Sequence, residues 1–289
     1  MRGFVSFSLF LLLVLSAPVA LSNPNVTVYK TPLEKAQWLY QGDRFGCELR
    51  HPVTGFGAMA LVAQPGQPIR LTLNADWLAL DSLEITASIE PSTWQSQTSI
   101  LARTTLQGQG KSAVSTSSAD LFLEALESNY AWQILLAEQG ESLYRIDSSA
   151  VSTQAGARQM SKCIGNLLPQ PFSYVRQREL LFAKGSDSLT AAQLADIQAI
   201  AAYVKADKQI NQILVDGHAD SNGDRLANLM LSRQRSDEVV ARLIELGISR
   251  AMIQVRSHGT RYPKSSNTTE VGRQANRRVS IRLVKQTSK

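Results

Sequence analysis

Asp216-Gly217-His218-Ala219-Asp220-Ser221-Asn222-Gly223, followed by Asn228-Leu229-Met230-Leu231-Ser232-Arg233-Gln234-Arg235, is the stretch from which the rest of the chain is read. The apolar run 210–215 ahead of it has the length and composition of a strand. Gly217 and Gly223 mark a tight turn, and a long helix is expected over 224–246, stopped at Gly247. Asp220 then sits at a strand end beside a helix N-terminus, where backbone N–H groups carry partial positive charge. Asn228, Leu231, Ser232 and Arg235 are spaced i, i+3, i+4 and i+7, so they share one helix stripe. Asp220 offers acceptors to an ammonium, and Arg235 offers a planar fork of donors to a carboxylate. A zwitterionic head group would satisfy both. A structural ion pair between the two fits the same spacing.

Working outward, strands and helices alternate through the second half. A strand is expected at 179–182. Leu194, Ile197, Ala201 and Val204 mark one face of a helix, which Thr190-Ala191-Ala192-Gln193 opens as a capping box. A strand at 253–256 and a last one carrying Val279, Ile281 and Leu283 complete a compact α/β sandwich. The first half reads differently. Alternating runs at 45–49, 69–73 and 83–89 are separated by turn signals such as Gln64-Pro65-Gly66. A hairpin is expected around Gln139-Gly140, between 132–136 and 143–146, with short helices at 120–128 and 155–168. The expected fold class is therefore α+β: a β-rich sandwich or barrel-like domain followed by an α/β sandwich. The strands are too few and too short for an outer-membrane barrel.

Charge divides the chain at the same place. From Pro169 onward there are 19 Lys/Arg against 11 Asp/Glu; residues 23–168 carry 10 against 13. Pro169-Gln170-Pro171 is the natural hinge, giving domains at 23–168 and 169–289. The excess of positive charge suits an anionic partner for the second domain. Residues 1–22 read as a signal peptide: Arg2, an apolar run over 4–15, and the small residues of Ala20-Leu21-Ser22 at a cleavage site. The run is shorter than the roughly 20 residues that span a bilayer, and no cysteine follows the site to carry a lipid. No later segment is long and apolar enough to span a membrane. The chain is expected to be exported, with Asn23 as its mature start. The two cysteines, Cys47 and Cys163, suit either a disulfide in an oxidising compartment or two buried thiols.

Several chemistries lack their residues. A hydrolase needs a nucleophile, a base and an orienting group, or a metal, and no Ser or Cys motif accompanies His218. Asp220, Asn222 and Gly223 fall short of a calcium loop, because its first and twelfth positions would be His218 and Leu229. There is no CxxC, the histidines (His51, His218, His258) are scattered, and Gly108-Gln109-Gly110 lacks the strand–helix setting of a phosphate loop. Neither a metal nor a cofactor is expected. Export and the absence of aromatic platforms argue against nucleic acid.

Gly217-His218-x-Asp220-x-x-Gly223, Asn228-x-x-Leu231-Ser232-x-x-Arg235 and Asn276-Arg277-Arg278-Val279 together resemble the signature of OmpA-like peptidoglycan-binding domains, over residues 172–284. The resemblance implies that Asp220 and Arg235 grip the diaminopimelate of the stem peptide, with Asn228, Leu231 and Ala219 in the same groove. His218, Asn276, Arg277 and Arg278 would support the ligand or hold the fold. That family usually has threonine at the position of Ala219 and alanine at that of Ser236, and the missing hydroxyl at 219 weakens the implied grip. Replacing Asp220 or Arg235 by alanine is expected to abolish wall binding with the fold intact.

The first half carries Tyr29-Lys30-Thr31-Pro32-Leu33-Glu34, Trp38 and Phe45-Gly46-Cys47-Glu48-Leu49 ahead of such a domain. This arrangement resembles the MotY family of sodium-driven polar flagellar motors. It implies a structural, non-enzymatic periplasmic ring component at the flagellar basal body and cell wall, partnered by peptidoglycan, MotX and the stator proteins. It also implies that Cys47 and Cys163 are bonded. The rival expectations are a cell-wall-modifying enzyme and a general envelope anchor.

Overall fold

The computed structural model describes residues 26–91 and 101–286. The signal-peptide reading of 1–22 lies outside them. The first domain comprises β1 (Thr27–Lys30), β2 (Leu39–Asp43), β3 (Gly46–Val53), β4 (Gly57–Ala63), β5 (Arg70–Ala75), β6 (Glu84–Glu90), β7 (Arg103–Gln109), β8 (Ser112–Ser115), α1 (Ala119–Glu127), β9 (Ala131–Glu138), β10 (Glu141–Asp147) and α2 (Thr153–Gly165). Its ten strands form one curled sheet in the order β1-β10-β9-β6-β7-β8-β5-β4-β3-β2, antiparallel except for the β1–β10 pair. β1 and β2 are the two edges, so the sheet curls without closing. The turn of the sheet falls in β7, which pairs with β6 through Arg103–Leu106 and with β8 through Gln107–Gln109.

Aromatic packing holds the two wings together. Trp132 on β9 lies 4.8 Å edge-on to Trp38 and 5.6 Å from Phe122 of α1, and Trp38 stacks on His51 of β3 at 4.9 Å. Each buried indole finds a carbonyl: Trp132 Nε1 donates to Phe122, and Trp38 Nε1 to Ser149, as buried polar tips require. Cys163 in the last turn of α2 is bonded to Cys47 on β3. Gly42 lies beneath that bond, where a Cβ would sit 2.8 Å from Cys163 Sγ. The disulfide is thus present, and the alternative of two free thiols is removed.

The expected strands at 45–49, 69–73 and 83–89 and the late hairpin all exist, with boundaries shifted by a few residues. Five inner or edge strands, β1, β2, β4, β7 and β8, were not legible. β4 is buried along nearly its whole length, and a strand covered on both faces loses the alternation that marks a half-solvated one. Gly108-Gln109-Gly110 is the end of β7 and the start of its hairpin turn into β8, with Gly110 at φ +58°. The helix expected over 155–168 begins two residues earlier and ends at Gly165.

The second domain comprises α3 (Phe172–Val175), β11 (Gln177–Leu181), α4 (Ala191–Ala206), β12 (Ile210–Gly217), α5 (Arg225–Glu245), β13 (Ile253–Ser257), α6 (Glu270–Asn276) and β14 (Arg278–Lys285). Its sheet runs β11-β14-β12-β13, with β12 and β13 parallel across α5. Val215, Ile213, Ile281 and Leu283 face α4 and α5 and form the core with Ile197, Val239 and Leu243. Thr190 and Gln193 make the reciprocal capping box, and Asp224 caps α5 by accepting from Leu226 and Ala227 N–H. Gly247, at φ +83°, ends it.

The domains meet at the β2–β3 turn. Its Arg44 carbonyl accepts from Leu168 N–H at 2.9 Å. Leu168, assigned by sequence to the first domain, packs its side chain into the second core. Phe45 from the same turn lies 5.5 Å edge-on to Tyr203 of α4, Phe172 covers Tyr203 at 5.4 Å, and Lys285 Nζ sits 4.2 Å over Phe172. Among the described residues no helix is long and apolar enough to cross a membrane.

Candidate functional site

The strand–turn–helix from β12 to α5 builds the site. Gly217 ends β12 where α5 crosses it. A Cβ there would lie 2.1 Å from Ser236 Oγ and 2.3 Å from the Ser232 carbonyl, so only glycine allows this approach. Ser236 donates to Ser232 O, and Ser232 Oγ accepts from Gly259 N–H at 3.0 Å. Asn228, Ser232 and Arg235 are buried and Leu231 half-buried, so the expected stripe does face the domain. Asn228 Nδ2 donates to the Asn222 carbonyl at 2.8 Å and closes the loop carrying Asp220.

Asp220 is 5 % exposed. It does not pair with Arg235. Its Oδ2 accepts from Arg277 Nη1 at 2.7 Å, and its Oδ1 from Asn222 N–H at 3.0 Å. Arg277 also donates to Glu270 at 2.7 Å, to Gln274, and to the Phe182 carbonyl. Burial opposes its charge, yet the bonds to Asp220 and Glu270 outweigh that and hold it above the ordinary guanidinium value. The structural ion pair thus exists, but with a partner 57 residues away in sequence.

Arg235 has no exposed surface. Its fork, expected to face a ligand carboxylate, is turned onto backbone. Nε donates to Ser186 O at 2.8 Å, Nη2 to Ala183 O at 3.1 Å and Nη1 to His218 O at 3.3 Å, with the guanidinium 5.1 Å over the Phe182 ring. Desolvation lowers its pKa to about 10, and nearby Arg277 adds to that against the pull of Asp220. Arg235 therefore lies beneath the site and ties the segment after β11 to the end of β12 just before Asp220. Its loss cannot leave the fold untouched, which corrects the expectation of an intact Arg235→Ala protein.

The remaining expected residues divide. Ala219 is buried, and its N–H donates to Gly259 O. Asn276 accepts from Lys264 and Ser265 N–H and donates to Ser265 O and Asn267 Oδ1, so it knots the loop before α6. Arg278 reaches Tyr262 O from the first position of β14. His218 points away from Asp220, stacks on His258 at 4.8 Å and approaches the Arg261 carbonyl. His258 in turn bonds Asp216 at 2.9 Å. Sequence reasoning missed Arg277 as the partner of Asp220, and missed the carbonyls of Ala183 and Ser186. Arg277 had a signal only as part of the terminal signature; the carbonyls had none.

His218 carries a pH prediction. Burial, with Arg278 nearby, pushes its pKa down from 6.5 to about 4, against the weaker pull of the Arg261 carbonyl and of Asp216. The native state keeps it neutral while the unfolded chain takes up a proton below pH 6.5. Stability is therefore fully present above that pH and falls by up to about 3 kcal/mol as pH drops toward 4. Urea unfolding at pH 7 and pH 4.5 should show the loss, and His218→Gln should reduce it; an unchanged slope in that variant refutes the assignment.

Comparison with known proteins follows this division. Residues 29–169 match the MotY N-terminal domain, and residues 181–277 match the OmpA family. The sodium-type flagellar protein MotY of Vibrio parahaemolyticus is 33% identical over 135 residues, 47% of this chain and 46% of that protein. The outer-membrane lipoprotein YfiB of Pseudomonas aeruginosa is 35% identical over 103 residues, 36% of this chain and 61% of that protein. Among solved structures, the peptidoglycan-associated lipoprotein of Burkholderia pseudomallei is 30% identical, covering 38% of this chain and 90% of that one, with a TM-score of 0.35. The chain spans less than two thirds of the length of either sequence relative. The chain thus joins a segment that matches the MotY N-terminal domain, residues 29–169, to one that matches the OmpA family, residues 181–277.

Proposed function

We propose that the chain is a structural component of a sodium-type flagellar motor, working in the periplasm, that anchors to peptidoglycan through its second domain. The observation that carries this is the buried acid Asp220, set at the end of β12 over the enclosed cation Arg235, in an OmpA-family domain joined to a MotY N-terminal domain. Asp220 keeps acceptor capacity beyond its two bonds, and Arg235 keeps two of the five N–H groups a guanidinium carries. A diaminopimelate centre offers an ammonium and a carboxylate side by side. In this reading Asp220 takes the ammonium, and Arg235 supplies the opposing charge from beneath. Asn228, Leu231 and Ala219 shape the groove, while His218, Asn276, Arg277 and Arg278 hold its walls.

The first domain is the part that engages the motor: MotX, the basal body and the stator units. The firm join supports a mechanical role, because Leu168, Phe45, Phe172 and Tyr203 bind the two domains through one apolar contact. Load on one domain would pass to the other without a flexible tether. Purified protein incubated with sacculi tests the reading against a wall-modifying enzyme. Co-sedimentation without release of soluble muropeptides is expected; fragments in the supernatant would overturn the anchor.

A further inference from the structure

Beside the Asp220 site lies a cavity of about 540 Å³, between the first turn of α5 and the loop that follows β13. Arg225 and Arg261 flank it, Leu226 and Leu229 form its apolar side, and Gly259 and His258 its wall. Both guanidiniums are exposed, and among the described residues neither has an ion-pair or side-chain hydrogen-bond partner. Arg233, Arg242, Arg273 and Arg277 of this domain pair with carboxylates; Arg225 and Arg261 differ from the other unpaired arginines in lining one cavity together. Asp224 also touches the cavity, but its Oδ1 is turned onto Leu226 and Ala227 N–H as the helix cap. His258 is engaged by Asp216.

The cavity wall is hydrogen-bonded to the site already described. Gly259 accepts from Ala219 N–H at 2.8 Å and donates to Ser232 Oγ. Leu226 and Leu229 are 66% and 40% exposed, an apolar surface large enough for a methyl-bearing residue and flanked by two free cations. An anion with a small apolar neighbour fits that chemistry.

We propose that this cavity is a second subsite for the same stem peptide, taking its carboxylate end between Arg225 and Arg261 with the terminal small residue against Leu226 and Leu229. The proposal rests on the peptidoglycan reading and extends it from one residue to the length of the peptide. It makes the second domain selective for stem peptides that keep a free terminal carboxylate.

Calorimetric titration of the full chain tests it with two probes: a soluble disaccharide-tetrapeptide with a free terminal carboxylate, and the same compound as its terminal amide. The wild type should bind the acid about tenfold more tightly, the effect of a hydrogen bond to a charged group. The R225Q/R261Q double variant should bind the two probes equally and keep the wild-type affinity for the amide. A double variant that retains the preference for the acid, or that loses both probes alike, overturns the subsite. A wild type that binds both probes equally, with binding lost in Asp220→Ala, overturns the subsite alone. A wild type that binds neither overturns the peptidoglycan reading together with it.

Discussion

Replacing Arg235 by alanine is expected to abolish co-sedimentation with sacculi and to destabilise the second domain by about 3–5 kcal/mol. The side chain is enclosed and bonds the carbonyls of Ala183, Ser186 and His218. Alanine leaves the Ser186 and His218 carbonyls unpaired, while the Ala183 carbonyl keeps Ser186 N–H, and each buried orphan costs about 1–3 kcal/mol. It also opens a void over Phe182. Lysine keeps the charge but cannot span three carbonyls with one ammonium, so Arg235→Lys should lose most of the same stability. Asp220→Ala separates binding from folding more cleanly. Arg277 then keeps Glu270, Gln274 and the Phe182 carbonyl, so the loss should be only about 1–3 kcal/mol while wall binding disappears. Urea unfolding and sedimentation with sacculi measure the two effects. An Arg235→Ala protein as stable as the wild type would contradict the network described here.

Cys47→Ser should lower the stability of the first domain by about 3–5 kcal/mol, shifting Tm by roughly 10 °C. The bond closes a loop of 116 residues, and release of so long a loop restores much chain entropy to the unfolded state. It also pins α2 to β3 beside the turn that touches the second domain. Melting curves with and without reductant, and a non-reducing gel, report it. Equal melting temperatures for the oxidised and reduced wild type would remove the disulfide from the stability account.

The second domain was legible because its signals are local. The capping box at Thr190 and the stop at Gly247 each act within one helical turn, and the structure has both; Asp224, read as the first residue of its helix, is the cap. The first domain hid its inner strands because β4 is apolar on both faces and β7 puts the polar Thr104 at one of its buried positions. Neither property leaves a period-two trace. The site shows the same contrast. The stripe Asn228–Arg235 follows from helical geometry alone. The pairing of Asp220 with Arg277, and of Arg235 with the carbonyls of Ala183 and Ser186, depends on how β11, β14 and α6 pack. Sequence spacing placed an acid and a base near one another, and tertiary structure gave each a different partner.

The central claim is that Asp220 and Arg235 together hold a diaminopimelate-bearing peptide. Titration of such a peptide into isotope-labelled protein, followed by NMR, tests it most directly. The expected result is saturable shifts confined to the 217–223 loop, the first two turns of α5, the backbone at 183–187 and the adjoining loop at 257–261, all absent in Asp220→Ala. Shifts elsewhere, or shifts in this region that survive Asp220→Ala unchanged, would contradict it.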